Sequence, residues 1–94
     1  MTKQEQKQKA KEFYTIMYRT SRFEEEVFEF YKRGLMPGLA HLYLGEEAVA
    51  AGVCGALEER DFIGSTHRGH GHLVSRGADL NKMMAEILGK ATGY

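Results

Sequence analysis

The sequence predicts a mostly helical chain of about four helices and one short strand, too little sheet to make a self-contained α/β domain. Three observations lead there. Apolar residues from Phe13 onward recur at steps of three and four. A run of small residues, Ala48 to Leu57, follows two acidic ones, and only Asp61 to Ile63 has the look of a strand.

The first element is a long helix. Phe13, Ile16, Met17, Phe23, Val27, Phe30 and Tyr31 share its apolar side, and Gly34 is a natural stop. Arg22 with Glu26 and Glu29 with Arg33 stand four apart and can pair on its exposed face, worth only tenths of a kcal/mol each. Residues 1–11 are nearly all Lys, Gln and Glu, carry nothing to pack, and are as apt to be disordered as to extend the helix. Pro37-Gly38 then turns the chain, and Leu39 to Leu44 is short and apolar.

Glu46 and Glu47 open the second helix, where carboxylates complement the dipole; its Ala, Gly and Cys content predicts close packing on several sides, with Cys54 in the core. Asp61, Phe62 and Ile63 form the strand candidate. A brief helix around Leu73 to Arg76 ends at Gly77, and Asp79 is a good N-cap for a last helix, Leu80 to Leu88, closed by Gly89.

The totals narrow the function. At 94 residues the chain holds one modest core. Folding at that size buries only roughly 60–65 % of the unfolded surface, so partner chains are expected on stability grounds alone. Lys plus Arg equals Asp plus Glu at 13 each, so the net positive field of a general nucleic-acid binder is missing. Cys54 is the only cysteine, which rules out an internal disulfide and fits a reducing compartment. Without an apolar leader near the start, or any apolar run long enough to span a bilayer, the expected location is the cytoplasm and no membrane partner is expected.

Chemistry concentrates in Gly64-Ser65-Thr66-His67-Arg68-Gly69-His70-Gly71-His72. A glycine-rich loop between a strand candidate and a helix can collect an anion through backbone N–H groups, with Arg68 supplying a bidentate charge. Gly69 and Gly71 would then let a diphosphate reach the backbone. The plain alternative is a surface loop with an exposed arginine, since neither the dinucleotide fingerprint nor the P-loop pattern is present. His67, His70 and His72 also invite a metal reading, but their spacing is neither the helical pair nor a Cys/His site, and no metal ligand is assigned. His41 is either a satisfied core residue or, beside a cofactor, a proton shuttle. Glu46 and Glu47 are read first as dipole partners and second as an acid–base pair.

Taken in order, Tyr18 to Glu25, the Gly34 to Gly38 turn, His41-Leu42-Tyr43-Leu44-Gly45-Glu46-Glu47-Ala48 and Thr66-His67-Arg68-Gly69-His70-Gly71 resemble the alpha subunit of thiamine-diphosphate-dependent dehydrogenase E1 components, pyruvate or acetoin type. The likeness runs from residue 14 to 94 without a gap. It implies the α/β thiamine-diphosphate-binding fold in truncated form, residues 1–94 being the N-terminal portion of one cofactor-binding domain. It also implies that His67 and Arg68 contact the cofactor diphosphate, that His41 lies near its reacting end, and that His70 lies near the site as a second catalytic candidate. Implied partners are the beta subunit, which carries the glutamate that activates the cofactor, and a lipoyl-bearing acyltransferase.

The family's Gly-Lys-Gly-Gly-Ser-Met-His segment and its Gly-Asp-Gly to Asn magnesium motif lie outside this sequence, so the resemblance implies that other residues hold the magnesium and that the chain is inactive alone. The full enzyme would decarboxylate a 2-oxo acid or cleave acetoin and pass the acyl unit to the lipoyl-bearing partner. The competing function is a non-catalytic helical module that docks another subunit.

Overall fold

The computed structural model describes residues 1–94 and contains four helices and no strand. The first, α1, spans Lys3–Lys32. Its start is fixed by a capping box: Thr2 Oγ1 accepts from the Glu5 N–H at 3.1 Å, and Glu5 Oε2 accepts from the Thr2 N–H at 2.9 Å. The polar start joins the helix, where the cap satisfies backbone donors that would otherwise be left without partners. Thirty residues at 1.5 Å rise give about 45 Å, nearly the whole 48 Å length of the molecule.

α1 stops where the glycine was expected to stop it. Gly34 takes φ +72°, a left-handed conformation costly for a residue with a Cβ, and its N–H reaches Tyr31 O while the Leu35 N–H reaches Phe30 O. The same pair of hydrogen bonds closes the third helix at Gly77 and the fourth at Gly89. Arg22 does pair with Glu26 at 3.2 Å and also with Glu25 at 2.6 Å. Glu29 pairs with Lys32, not with Arg33, whose guanidinium lies over the Phe30 ring instead. All these groups are exposed and contribute little.

The second helix, α2, spans Glu47–Gly55. It was expected to be enclosed, and it is not. Ala50 and Ala51 are buried, but Val49 and Val53 are 60 % and 58 % exposed and Cys54 is half-buried. Its packing neighbours are α1 and the third helix, and one close approach is made to α1. At that approach a Cβ on Gly55 would sit 2.3 Å from the Phe13 ring.

Asp61 to Ile63 does not form a strand. A strand needs a partner ladder for its N–H and C=O groups, and none is present. Arg76 takes over part of that task, donating to the carbonyls of Glu58, Glu59 and Asp61, while Asp61 Oδ2 accepts from the Glu58 N–H. Phe62 is left 98 % exposed. The third helix, α3, spans His70–Ser75, starting earlier than its expected position, and α4 spans Leu80–Ile87 with Asp79 capping the N–H groups of Asn81 and Lys82.

Only ten residues are buried, so the core is small. Phe23 and Val27 of α1 meet Val74 of α3 and Met83 of α4, with Met36, Ala40, Leu42 and Ile87 packed around them. The Met36 to Leu42 segment thus lies between the long helix and the short ones, and it forms one wall of the site.

Candidate functional site

A cleft of about 500 Å³ opens beside this core. Its walls come from Met36 to His41, from His67, His70 and Leu73, and from Met83, Glu86 and Ile87 of α4. Residues 26 positions apart meet there because the Pro37-Gly38 turn carries His41 back over the start of α3. The His41 and His67 rings stand 4.6 Å apart, edge to face. Three imidazoles on a wall that mixes apolar and polar residues make a surface suited to an aromatic or planar ligand with polar edges.

The four residues singled out from sequence therefore divide. His41, His67 and His70 line the cleft. Arg68 follows His67 but is not part of the lining; its Nη1 donates to the Leu42 carbonyl at 2.8 Å, tying the 64–69 loop to the segment that carries His41. One guanidinium bond is thus spent on the fold, and the group remains exposed with further donors for an anion.

The glycines do something other than expected. A Cβ on Gly71 would lie 2.3 Å from Cδ2 of Tyr43, and one on Gly69 would lie 2.5 Å from Ser65 Oγ. Their missing side chains make room for the protein's own Tyr43 ring and Ser65 hydroxyl. The strand that was to precede the loop is absent and α3 is a mere six residues long, so charge at this loop rests on Arg68.

Each histidine of the 67–72 group has a different environment. His67 meets His41, His70 Nδ1 lies 2.6 Å from Glu24 Oε1, and His72 Nδ1 lies 2.6 Å from Ser65 Oγ with its ring against Tyr43. Nowhere do three His, Cys, Asp or Glu side chains converge as a metal ion would require. Burial, with the Glu46, Cys54 and Glu47 charges adding to it, pushes the Tyr43 phenol up, so this side chain is a neutral packing group beneath the site.

Glu24 was missed by sequence reasoning, which considered only the Arg22/Glu26 and Glu29/Arg33 pairs of α1 and gave Glu24 no role. Its side chain is fully buried. A signal was there: Glu24 is in phase with Met17, Thr20 and Val27 on the inward stripe, whereas Glu25 and Glu26 are out of phase and exposed.

Glu46 and Glu47 do not form an acid–base pair at the cleft, whose lining includes neither. Glu47 accepts from Ser21 Oγ and from the Gly45 N–H at 2.7 Å, fastening α2 to α1. Partial burial pushes its carboxyl up, but the hydrogen bonds from Ser21 and from the Glu47 and Gly45 backbone outweigh that and hold it below the ordinary carboxylate value. A depressed folded pKa adds stability that is present above the unfolded value, about 4.3, and is lost as pH falls through the folded value. Glu47→Gln is thus expected to destabilise the chain at pH 7, and the deficit should shrink below about pH 4; urea melts of both forms across this range are the check.

No helix is long and apolar enough to cross a membrane. Residues 15–94 match the family model described as "Dehydrogenase E1 component". The chain is 55 % identical over 86 residues to the alpha subunit of acetoin:2,6-dichlorophenolindophenol oxidoreductase from Bacillus subtilis, covering 92 % of this chain and 26 % of that one. The same-named subunit from Cupriavidus necator is 46 % identical over 87 residues, covering 88 % of this chain and 26 % of that one. The pyruvate dehydrogenase E1 component subunit alpha of Zymomonas mobilis is 45 % identical over 83 residues, covering 87 % of this chain and 23 % of that one. No solved structure matches the chain. It spans about a quarter of the length of these curated relatives. With the family match extending from the middle of α1 to the last residue, the chain belongs to the dehydrogenase E1 component family.

Proposed function

We propose that residues 1–94 act as the N-terminal part of an E1 alpha subunit, and that the cleft and its arginine form one side of a thiamine diphosphate site in a pyruvate or acetoin dehydrogenase. The observation that carries this reading is the meeting of His41, His67 and His70 on one cleft, with Arg68 anchored beside it. The residues fit the group: an apolar wall of Met36, Leu39, Leu73, Met83 and Ile87 suits its rings, and the exposed guanidinium suits its diphosphate. When bound, thiamine diphosphate supplies the electron sink for breaking the carbon–carbon bond next to a carbonyl.

This chain's share is positioning and charge. Arg68 and His67 hold the diphosphate end, His41 stands near the reacting end, and His70 adds a second imidazole for hydrogen bonding or proton transfer there. Magnesium is held by residues outside this sequence, within the wider α/β thiamine-diphosphate fold. The beta subunit completes the site, and a lipoyl-bearing acyltransferase receives the acyl unit. The lone Cys54 thiol accords with a cytoplasmic setting.

Calorimetry of thiamine diphosphate with magnesium tests the reading. The chain alone is expected to show no saturable binding, and micromolar binding would overturn the claim that it supplies only one side of the site. In a complex reconstituted with the beta subunit and the remaining alpha residues, Arg68→Ala should weaken binding roughly ten- to hundredfold, the worth of a charged hydrogen bond. Unchanged affinity would favour the docking-module reading, for which the exposed Val49 and Val53 face of α2 is the supporting observation.

A further inference from the structure

Glu24 is the single acidic side chain in the core, and a fully buried carboxylate needs a reason. It lies on the inward stripe of α1 between Thr20 and Val27 and has no exposed surface. Its one hydrogen bond joins Oε1 to Nδ1 of His70 at 2.6 Å, and Oε2 has no partner at all. A carboxylate so placed is costly to bury, and the imidazole offsets that cost. The dependence runs both ways. The His70 ring is held on one edge by Glu24, braced edge-on by Phe23 at 5.8 Å, and 20 % exposed, and His70 lines the cleft.

We propose that Glu24 is the positioning residue for His70: it keeps the proton on Nδ1, so that Nε2 is the nitrogen that accepts or releases a proton toward the cleft. The physical reason is the acceptor character of a carboxylate. With Oε1 facing Nδ1, the N–H must be on that nitrogen whenever the carboxyl is ionised and the ring carries one proton, which leaves the lone pair on Nε2. Carboxylates fix imidazole tautomers in this way beside catalytic and metal centres alike. His70 shares the cleft lining with His41, His67 and Glu86, the other titratable groups on its walls. The use of that lone pair on a cofactor or substrate rests on the function proposed above, whereas the tautomer itself does not.

The experiment is long-range nitrogen–proton correlation NMR on the 94-residue chain, at a pH where imidazole is neutral, with Glu24→Gln alongside. His70 is expected to show the Nδ1–H form in the unmodified chain. A glutamine can present either its oxygen or its NH₂ to Nδ1, so the variant should lose that preference and move toward the Nε2–H form of unconstrained imidazole. His41 and His67 serve as internal references and should not change. An Nε2–H majority in the unmodified chain overturns the proposal, whether it arises from a protonated Glu24 or from a core that does not form. So does a Glu24→Gln spectrum with His70 still fixed as Nδ1–H. Neither outcome bears on Arg68 and thiamine diphosphate affinity, so the two claims fail separately.

Discussion

Phe23→Ala is expected to remove roughly 3–5 kcal/mol of stability and to lower the melting temperature of the 94-residue chain by more than about 12 °C, at the several degrees per kcal/mol typical of this size. Phe23 is 5 % exposed and sits in a core cluster with just three other buried side chains, Val27, Val74 and Met83. Truncation leaves a void between α1, α3 and α4 that so few neighbours cannot fill. A domain of this size has only roughly 5–14 kcal/mol to lose, so the variant should sit near the edge of folding. It also removes the edge contact to His70, so the cleft should loosen together with the core. Thermal melts followed by far-ultraviolet circular dichroism are the check. A change under about 1 kcal/mol would mean that the inward face of α1 is not the core face, and the placement of Glu24 would fall with it.

Gly71→Ala carries the other large effect, and its sign is the informative part. Within a helix, glycine to alanine ordinarily stabilises by about 1 kcal/mol. Here the added Cβ would sit 2.3, 2.5 and 2.9 Å from Cδ2, Cε2 and Cγ of Tyr43, a ring that is 2 % exposed and has nowhere to retreat. Overpacking of this kind costs about 1–3 kcal/mol, so the expected result is net destabilisation. The disturbance also reaches the site, since Tyr43 is two residues from His41 and Gly71 is next to His70. Repeating the change on a Tyr43→Ala background separates this cause from others. If the ring is the obstacle, Gly71→Ala should become neutral or stabilising there, with a coupling of about 1 kcal/mol or more in the double-mutant cycle. Additive effects would place the obstacle elsewhere.

Much of the helical framework was legible because its signals are local. Gly34, Gly77 and Gly89 end helices through hydrogen bonds to residues three to five positions back, and Asp79 caps N–H groups two and three positions ahead. Such features need no distant partner, and a linear reading finds them. The strand at Asp61 to Ile63 failed for the opposite reason: a short apolar run says nothing about whether another strand lies beside it, and here Arg76 holds that backbone instead. The start of α1 is ambiguous in sequence because its lysines and glutamines have little to pack, and it is the hydrogen bonds between Thr2 and Glu5 that fix it.

At the site, the sequence by itself determined which side chains could do chemistry: His41, His67, Arg68 and His70 stand out by type, spacing and resemblance. It could not say which would share a surface. Only the tertiary structure decided that three of them face one cleft while Arg68 reaches back to Leu42 O, that Gly71 yields its space to Tyr43, and that one glutamate of an acidic run lies buried against His70. Those outcomes depend on contacts between residues 26 to 46 positions apart, and the energy of a buried charge or a close approach is set by what the fold brings alongside it.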